Sequence, residues 1–507
     1  MPLDRDFLEY SALDSACTLE IHNAFWDDLS PTFSRAYEMT LRIFPVLMFM
    51  QTRGIKVSKE LLEETKADVI RTAAERQREL DALIGRPLNV SSPKQCQEYF
   101  YGELGITPYR NGEGRPTVDD LALQRLVRGT VARPGLRQAK LVQDIRGLQK
   151  LYGTYLDLQF DGDGRLRCSF NPRGTKFGRL SSSKTIFDTG TNFQNLPQEF
   201  KKFLVPDEGF CFIEVDKRQA EWVVVAYVTA DANMIAAVEG GIDVHTYTAC
   251  QMFNVTPDVV KKEHKLCGQL TDADSIKELR IKEGMYPPSS WPRAMSLRQS
   301  GKKSNHGLNY DEGYKGFAMI NEMDESEAKR IYNLYHQIYP GIKRWYEAVK
   351  YQLQRDRTLT NCFGRSVRFL GAWNDKLWKS AYSMLPQSTV VDSLNEGMAK
   401  IYEDEWLTRT LNGDILAQVH DSILMQFPIS DLEDEETFNK LIGKITHYTS
   451  PELEYNGKRF KIASDYKVGL NWGGANAERN PQGMTEISSH EEFMAALRNW
   501  RNVKGTA

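Results

Sequence analysis

The chain has 507 residues, enough for two to four domains, and its 41% hydrophobic and 26% charged residues describe an ordinary globular protein. It contains no run of about eighteen apolar residues, and its first residues, Met-Pro-Leu-Asp-Arg-Asp, form no apolar signal core, which excludes a membrane-spanning chain and favours an intracellular protein. The seven Cys are scattered and never form Cys-x-x-Cys, which argues against a disulfide framework or a zinc site.

The first predicted element is a helix. Apolar side chains recur at helical spacing over residues 7–30, and Ser30-Pro31 is expected to end the segment. Tyr10 and Asp14 lie one helical turn apart on this helix. Taken alone, the pair predicts no more than a hydrogen bond on the helix surface.

The next region reads as an elongated helical arm with a basic surface. A helical pattern from about 37 to 84 is broken at Gly54, which indicates a helix end and a turn. Between Arg125 and Lys184 thirteen Lys or Arg stand against four Asp, although the whole chain has a net charge of −3, and a helix from about 135 to 158 has a basic exposed side. Such an excess predicts a surface for a phosphate backbone, and a solvated basic face has the same composition.

Two polar loops and two predicted strand regions follow. Hydroxyl, amide and guanidinium groups, which bind phosphates, sugars and base edges, fall together at Phe177–Ser183 and Asn192–Pro197. Gly209–Asp216 reads as a buried strand that carries a carboxylate at its end. Far downstream, Ile415–Phe427 reads as two strands folded about His420-Asp421.

Asp216 and Asp421 are expected to meet on adjacent strands. Two carboxylates at one place repel each other strongly unless a cation lies between them, and oxygen ligands of this kind suit Mg²⁺. A turn Asp is usually structural, so the hypothesis of a magnesium site depends on the two strands being neighbours.

A cationic helix is predicted between these two regions. Arg298, Lys302, His306 and Tyr310 recur every four residues, so they are expected to form a slanting stripe on one side of a helix. Two cations one turn apart suit a triphosphate, and the two rings are suited to stacking on a base or sugar. A solvated basic helix face fits this stretch equally well when it is taken alone.

Together, an acid pair, a cationic helix and a basic arm match phosphoryl transfer from a nucleoside triphosphate to a nucleic acid. From roughly residue 7 to Gly473 the sequence resembles the family A DNA polymerases, the bacterial DNA polymerase I group with its phage relatives. The motifs that carry the resemblance are, in order, Phe177-Gly-Arg-Leu-Ser-Ser, Asn192-x-Gln-Asn-Leu-Pro, Asp216-x2-Gln219-x-Glu221, Arg298-x3-Lys302-x3-His306-Gly-x2-Tyr310, Gln387 and Val419-His-Asp421.

The resemblance implies an α+β right-hand polymerase fold with an antiparallel palm sheet, a helical thumb and helical fingers. The implied divisions are the last helix of a 3′–5′ exonuclease domain at residues 1–36, the thumb at 37–165, the palm at 166–220 and 366–475, the fingers at 221–365, and a tail at 476–507 that ends in a short amphipathic helix.

The resemblance also implies roles for particular residues. Asp216, Asp421 and the backbone carbonyl of Lys217 would bind two Mg²⁺ ions, and Lys302 would protonate the leaving pyrophosphate. The dNTP-binding residues would be Arg298, Lys302, His306, Tyr310, Gln219, His245 and Glu221, with Glu221 as a steric gate against the ribose 2′-hydroxyl. The residues expected to contact primer-template DNA are Arg179, Asn192, Gln194, Asn195, Gln387, His420 and Lys94.

Four departures from the family pattern are visible. Ser422 stands where the family usually has Glu, so the third palm carboxylate is missing. His306 stands where the family has Phe or Tyr, which predicts discrimination against dideoxynucleotides. Asp311 replaces a usual Gly, and nothing in the sequence explains it. An insertion between His245 and Arg298, with Gly284-Met-Tyr-Pro-Pro-Ser-Ser near its end, is expected to be an extra surface element on the fingers.

Tyr10-x3-Asp14 resembles the last motif of the family's proofreading exonuclease, whose two earlier acidic motifs would lie before Met1. One Asp cannot hold two metal ions, so this chain alone is expected not to proofread. Either the sequence belongs to a longer protein, or a separate exonuclease docks against residues 1–36. A processivity subunit is a further candidate partner.

The sequence therefore predicts a template-directed DNA polymerase that adds dNTPs to a primer 3′-hydroxyl in the cytoplasm of a bacterial or phage-infected cell, with no membrane partner. Two alternatives stay open. A single-subunit RNA polymerase shares the palm and the cationic helix, although Gln219-x-Glu221 favours deoxynucleotides. A DNA-binding accessory subunit without catalysis would retain the basic arm, and Ser422 leaves room for it.

Overall fold

The elements of the chain surround one antiparallel sheet. The computed structural model describes residues 5–129, 133–268, 270, 273–286, 288, 291–292, 295–321 and 325–504. The helices of these residues are α1 (Arg5–Arg53), α2 (Lys59–Ile84), α3 (Pro93–Gln97), α4 (Asp120–Arg128), α5 (Arg137–Leu151), α6 (Gln198–Lys201), α7 (Ala220–Val228), α8 (Ala232–Glu239), α9 (Val244–Phe253), α10 (Pro257–Cys267), α11 (Ala273–Lys282), α12 (Leu297–Leu308), α13 (Tyr314–Asn321), α14 (Glu325–Ile338), α15 (Pro340–Asp356), α16 (Asp375–Glu403), α17 (Ile429–Leu432), α18 (Glu435–Thr449) and α19 (His490–Lys504). The strands are β1 (Ile55–Val57), β2 (Arg165–Leu166), β3 (Ser169–Asn171), β4 (Ser181–Ser183), β5 (Leu204–Val205), β6 (Phe210–Lys217), β7 (Thr358–Thr360), β8 (Ser366–Arg368), β9 (Asp414–Val419), β10 (Ser422–Pro428), β11 (Leu453–Tyr455), β12 (Lys458–Phe460), β13 (Ser464–Gly469) and β14 (Thr485–Ile487).

The central sheet has the strand order β14-β13-β6-β10-β9, and all neighbouring strands are antiparallel. Its middle strand β6 is an almost continuous apolar run whose Phe212, Ile213 and Val215 are buried. Helix α16 packs against the neighbouring strand β10. The predicted hairpin is confirmed: β9 and β10 are joined by His420 and Asp421 alone, with His420 at a φ of 52°. The antiparallel palm sheet inferred from the sequence is present.

The first helix is longer than the sequence pattern indicates. The expectation that Ser30-Pro31 ends it is wrong, since α1 continues through Pro31 and Pro45 to Arg53. A proline removes one backbone donor and bends a helix, and the hydrogen bonds of the turns on either side can persist. Gly54 does end α1 as predicted, with a φ of 62° and its N–H donating to the carbonyl of Met50 at 3.0 Å.

The predicted thumb has a small core of its own, separate from the main core. Helices α2, α4 and α5 pack together there, and its buried residues include Leu80, Leu88, Phe100, Leu123, Leu126, Val142 and Ile145.

The basic side expected on the helix from about 135 to 158 is only partly exposed. Arg146 on α5 donates to the carbonyls of Val90 at 2.7 Å and Val118 at 2.6 Å. Farther along the basic stretch, the Arg165 guanidinium pairs with Asp207. These arginines hold the arm together, so fewer cations face solvent than the count predicts.

The predicted fingers insertion is more than a surface element. Glu263 on α10 and Arg280 on α11 form a buried ion pair, with side chains 0% and 3% exposed. Arg280 also donates to the carbonyls of Pro292 and Met295, and Glu263 accepts from the backbone N–H of Leu297 at 2.9 Å. The insertion therefore anchors the start of α12. Residues 269, 271–272, 287, 289–290 and 293–294, including part of the Gly284–Ser290 segment, lie outside the described residues.

The end of the chain completes the sheet. The predicted amphipathic helix is confirmed as α19, whose Phe493, Leu497 and Trp500 are buried beside α18. Strand β14, from the segment that the sequence analysis assigned to the tail, pairs with β13 at the sheet edge. Of the helices in the described ranges, not one combines the length and apolarity needed to span a bilayer.

Candidate active site

The two predicted acids lie side by side on the sheet. Asp216 on β6 is directly opposite Ser422 on β10, so Asp421 follows one position beyond that pair. The backbone N–H of Lys217 donates to the carbonyl of Asp421 at 3.1 Å and joins the two strand ends. The adjacency expected from the sequence is confirmed.

Both carboxyl groups are held where their charges are poorly compensated. Burial raises the pKa of Asp216 to about 6; the Lys467 cation opposes this shift, and the charges of Glu214 and Asp421 add to it. Burial also raises the pKa of Asp421, against the opposing charge of Arg179. Asp421 Oδ1 is buried and has no hydrogen-bond partner among the described residues. A divalent cation would relieve both effects, because it stabilises the ionised form of each carboxyl.

The ammonium group of Lys217 is held by neutral oxygen acceptors and not by a carboxylate. Its Nζ donates to the carbonyl of Thr449 and to the hydroxyls of Ser450 and Ser464, each of these two at 3.2 Å. Burial lowers its pKa to about 7. The side chain thus ties the end of β6 to the end of α18.

The cationic stripe is present for three of its four predicted members. Ser296 caps α12, and Gly301 lies against the carbonyl of His245, so α12 and α9 pack closely. Arg298, Lys302 and His306 lie on α12, but the expectation that Tyr310 shares this helix is wrong. The helix ends at Leu308, and the backbone N–H groups of Tyr310 and Glu312 both bond to the carbonyl of Gly307.

Arg298 is held by an acid that the sequence analysis did not single out. Its guanidinium donates to both oxygens of Asp243, at 2.7 and 3.1 Å. Asp243 also caps α9 through the N–H of His245 and accepts from the Gln219 amide at 3.3 Å. Asp243 was visible in the sequence only as an ordinary helix-capping acid, because its partner lies on a different helix.

His245 is neutral near pH 7. Burial, with a smaller contribution from the Arg298 cation, lowers its pKa to about 4. Asn305 accepts from Thr248 through its amide oxygen, so its amide nitrogen is the donor to His245 Nδ1 at 3.1 Å. The ring proton therefore resides on Nε2, which is available as a donor.

Glu221 connects three parts of the chain. One carboxylate oxygen accepts from Arg179, in the loop before the palm sheet, and the other accepts from the Tyr310 hydroxyl. Burial and the neighbouring Glu221 charge raise the pKa of Tyr310 well above its usual value. Tyr310 is therefore a hydrogen-bond donor to Glu221 at any pH of interest.

One cavity of about 970 Å³ collects most of the predicted site. Its lining includes the predicted residues Asp216, Lys217, Gln219, Glu221, His245, Arg298, Lys302, His306 and Asp421. It also includes residues that were not predicted, among them Arg218, Asp243, Asp465, Glu486, Ser488 and Glu492. The lining thus combines the carboxylates Asp216 and Asp421 with the α12 cations Arg298 and Lys302, so the cavity suits a ligand that carries both a metal and an anionic chain.

Gln194, one of the predicted DNA-binding residues, holds the acid hairpin in place, and Asn192 caps the turn that carries it. The Gln194 amide donates to the carbonyl of Gln418 at 2.9 Å, and its oxygen accepts from the backbone N–H of His420 at 3.0 Å. Asn192 caps the short helical turn Phe193–Asn195 and accepts from Ser182. These bonds position Asp421 and leave the His420 side chain exposed.

All seven predicted DNA-binding residues lie outside the cavity lining. Asn195 and Lys94 are exposed, Lys94 on α3 in the predicted thumb, whereas Arg179 and Gln387 are half-buried. Gln387 lies on α16 beside Pro386. The structure therefore brings the predicted metal- and nucleotide-binding residues other than Tyr310 into one cavity lining, and the predicted DNA-binding residues lie outside that lining.

Ser422, which stands where the family usually has Glu, makes polar contacts with its neighbours. Ser422 Oγ lies 2.9 Å from Glu214 Oε1 and 3.0 Å from the carbonyl of Val419. Glu214, two residues before Asp216 on the same face of β6, also accepts from the Trp472 indole at 3.2 Å. Glu214 was not predicted as a site residue, and the feature of the sequence that could have revealed it is the presence of an acid inside the apolar run Phe210–Val215.

The donor set fits divalent ions whose remaining ligands come from elsewhere. Within the described ranges no group of three or more His, Cys, Asp or Glu side chains is arranged to hold a metal. Asp216 and Asp421 supply two carboxylates, and the unpartnered Asp421 Oδ1 is directed to no protein donor in that part of the chain. Such a pair suits Mg²⁺, which commonly takes one or two protein carboxylates together with water and substrate phosphates.

The chain is similar to known proteins over most of its length. The model of DNA polymerase family A matches residues 59–266 and 290–474. The thermostable DNA polymerase I of Thermus filiformis is 26% identical over 430 residues, which cover 81% of this chain and 46% of that protein. DNA polymerase I of Rhizobium leguminosarum is 25% identical over 493 residues, which cover 91% of this chain and 43% of that protein. The chain thus spans less than half the length of these curated relatives.

A solved structure supports the same fold. The POL domain of Pol1 from M. smegmatis, in complex with DNA primer-template and dNTP, has a TM-score of 0.68 at 22% identity, covering 86% of this chain and 70% of that chain. The likeness confirms the α+β polymerase fold.

Proposed function

Because the chain belongs to DNA polymerase family A, we propose that it extends the 3′-hydroxyl of a primer with dNTPs, in the order set by a DNA template. The observation that carries the proposal is the cavity whose lining brings Asp216 and Asp421 together with Arg298 and Lys302. An acid pair and a cation pair in one cavity are what a metal-bound triphosphate requires.

Each residue of the cavity has a proposed part in the reaction. Asp216 and Asp421 would hold two Mg²⁺ ions, with the Lys217 carbonyl as a further ligand, and when bound these ions would acidify the primer hydroxyl and neutralise the triphosphate. Arg298 and Lys302 bind the triphosphate oxygens, and Lys302 gives a proton to the departing pyrophosphate.

Several proposed contacts orient the two substrates. His245 Nε2 donates to a phosphate oxygen, Gln219 holds Asp243 against Arg298, and Tyr310 packs near the template base. Primer-template DNA lies along Arg179, Asn192, Gln194, Asn195, Gln387, His420 and Lys94. This activity belongs in the cytoplasm, where DNA and dNTPs are found.

A docking surface on α1 accompanies the polymerase. The exposed side chains of its first half include Phe7, Leu13, Leu19, Phe25 and Leu29, between 46% and 63% exposed. We propose that an exonuclease domain or subunit covers this face, as expected for the helix that carries Tyr10 and Asp14, and that the described residues do not themselves remove a mispaired end.

Primer extension with Mg²⁺ tests the proposal directly. The wild-type chain is supplied with a primed DNA template and either dNTPs or NTPs, and a mispaired primer is the third reaction. We expect dNTP-dependent extension and an uncut mispaired end. Preferred use of NTPs would favour the RNA polymerase alternative, and no extension with either nucleotide would favour the accessory subunit.

Glu221→Ala is expected to raise ribonucleotide incorporation relative to deoxynucleotide incorporation by about 10–100-fold, because the space for a 2′-hydroxyl opens. Glu221 is held by Arg179 and Tyr310, so Tyr310→Phe, which removes one of these bonds and keeps the carboxylate, is the matched control with a smaller expected effect. The measurement is the ratio of kcat/KM values for CTP and dCTP. An unchanged ratio in Glu221→Ala would contradict the steric-gate role.

The wild-type chain is expected to discriminate against dideoxynucleotides, since His306 supplies no phenolic hydroxyl at this position of α12. His306→Tyr is expected to reduce the discrimination about tenfold, the effect of roughly one hydrogen bond to a charged group. His306→Phe controls for ring size and should leave it unchanged. Comparable use of ddNTPs and dNTPs by the wild type, in competition assays, would refute the prediction.

A further inference from the structure

The palm sheet carries a third carboxylate close to the acid pair, from an unexpected strand. Ser422 on β10 stands where the family usually has Glu. Its hydroxyl oxygen is 2.9 Å from Glu214 Oε1, on the neighbouring strand β6. A carboxylate therefore occupies the space in which a longer side chain at position 422 would extend.

Strand register places Glu214 on the same face of the sheet as Asp216. The two residues are separated by one position on β6, so their Cα atoms are about 7 Å apart and their side chains point the same way. Glu214 is 9% exposed and is fixed by Ser422 and by the Trp472 indole. Its charge is thus held in one place beside the acid pair.

A lysine next to Asp216 makes this charge necessary. Lys467 on β13 is directly opposite Glu214, and its Nζ lies 3.9 Å from Asp216 Oδ2. A lone ammonium this close would repel a divalent ion from Asp216. Glu214, whose Cβ is about 5 Å from that of Lys467 by strand pairing, compensates it.

We propose that Glu214 is a positioning residue for the divalent ion at Asp216 and Asp421, and that it supplies from β6 the negative charge that Ser422 does not supply from β10. Glu214 acts on the ion through the electrostatic field and through the Ser422 hydroxyl. The inference deepens the proposed function and rests on it, since it concerns the same metal-binding acids.

The test measures Mn²⁺ binding to the full chain with primer-template DNA, by the loss of the free Mn²⁺ signal in electron paramagnetic resonance. Glu214→Gln keeps the shape and the acceptor for Ser422 and is expected to weaken Mn²⁺ binding about tenfold, as is common for residues behind metal ligands. The double variant Glu214→Gln with Ser422→Glu returns the charge to β10 and is expected to recover most of the affinity.

Two further variants serve as a charge control and as a substitute for Glu214→Gln. Glu486→Gln removes one charge from the other side of Lys467 and should weaken binding less. Ser422→Ala removes the hydrogen bond that holds Glu214 and keeps the Glu214 charge, and it should also weaken Mn²⁺ binding. This variant replaces Glu214→Gln in the test if Glu214→Gln does not fold.

Wild-type binding by Glu214→Gln, no recovery in the double variant, or an equal loss in Glu486→Gln would overturn the inference. Primer extension by the wild type in the same preparation tests the proposed function separately.

Discussion

Asp421→Ala is expected to abolish primer extension, lowering its rate by about 10³-fold or more, since metal stabilisation of a phosphoryl transition state amounts to several kcal/mol. Asp421 Oδ1 has no protein partner in the described ranges, so the substitution removes the proposed metal ligand and breaks no hydrogen bond of that atom. Single-turnover extension of a primed template with saturating dNTPs is the measurement. The exposed Asp14→Ala on α1 is the matched control and should extend normally.

The unfolding temperature distinguishes loss of a metal ligand from loss of the fold. A misfolded variant unfolds at a lower temperature than the wild type, whereas a variant that lacks only the Asp421 charge does not. Because folding raises the pKa of Asp421, its ionisation at neutral pH destabilises the native state above the unfolded pKa, and this cost disappears as pH falls through the folded pKa. Asp421→Asn should therefore unfold at the same or a higher temperature than the wild type at pH 7 without metal. A variant that is inactive and also unfolds at lower temperature would not support the metal-ligand role.

Glu263→Gln is expected to destabilise the fingers by about 3–5 kcal/mol, because it leaves the Arg280 cation buried without its counter-charge. The Leu297 N–H loses an anionic acceptor in the same step, so the start of α12 is loosened. We expect a higher KM for dNTP along with the lower stability. Urea unfolding followed by limited proteolysis of the fingers measures the loss.

The same two segments provide the matched control for this prediction. Lys262 on α10 pairs with Glu283 just after α11 at 3.2 Å, with side chains 56% and 36% exposed. Glu283→Gln should cost less than about 1 kcal/mol, as is usual for surface pairs. Equal effects of the two substitutions would show that burial of Glu263 and Arg280 is not what stabilises the insertion.

The position of each acid was predictable because its signal is local. An apolar run that ends in Asp216 and a two-residue break before Ser422 each determine one strand end. The pairing of β6 with β10 joins distant segments, and the resemblance of the two acid motifs to the family, rather than a local signal, supported that expectation. Tyr310 was wrongly placed on α12 because a four-residue spacing in the sequence does not show where a helix ends. The helix ends at Leu308, and the carbonyl of Gly307 accepts instead from the backbone N–H groups of Tyr310 and Glu312.

Other contacts between distant segments, which no motif announces, were not predictable. Asp243 reads as a helix cap until Arg298 is brought against it by the packing of α9 on α12. The thirteen cations of the arm were counted correctly, but a count does not distinguish Arg146, bonded to two buried carbonyls, from Lys150 in solvent. Likewise, the polar residues around β14 gave no sign that it completes the palm sheet.

The order of synthesis adds a consequence of the sheet's connectivity. Strand β6 is flanked by β10 and β13, and both come after the whole fingers region in the chain. A ribosome that has completed α12 has therefore made the cationic helix, while β6 still has two unpaired edges. Pairing over such separations is slow and exposes apolar strand surface meanwhile. The two acids of the candidate site can therefore come together only late in synthesis, after β10 has been made.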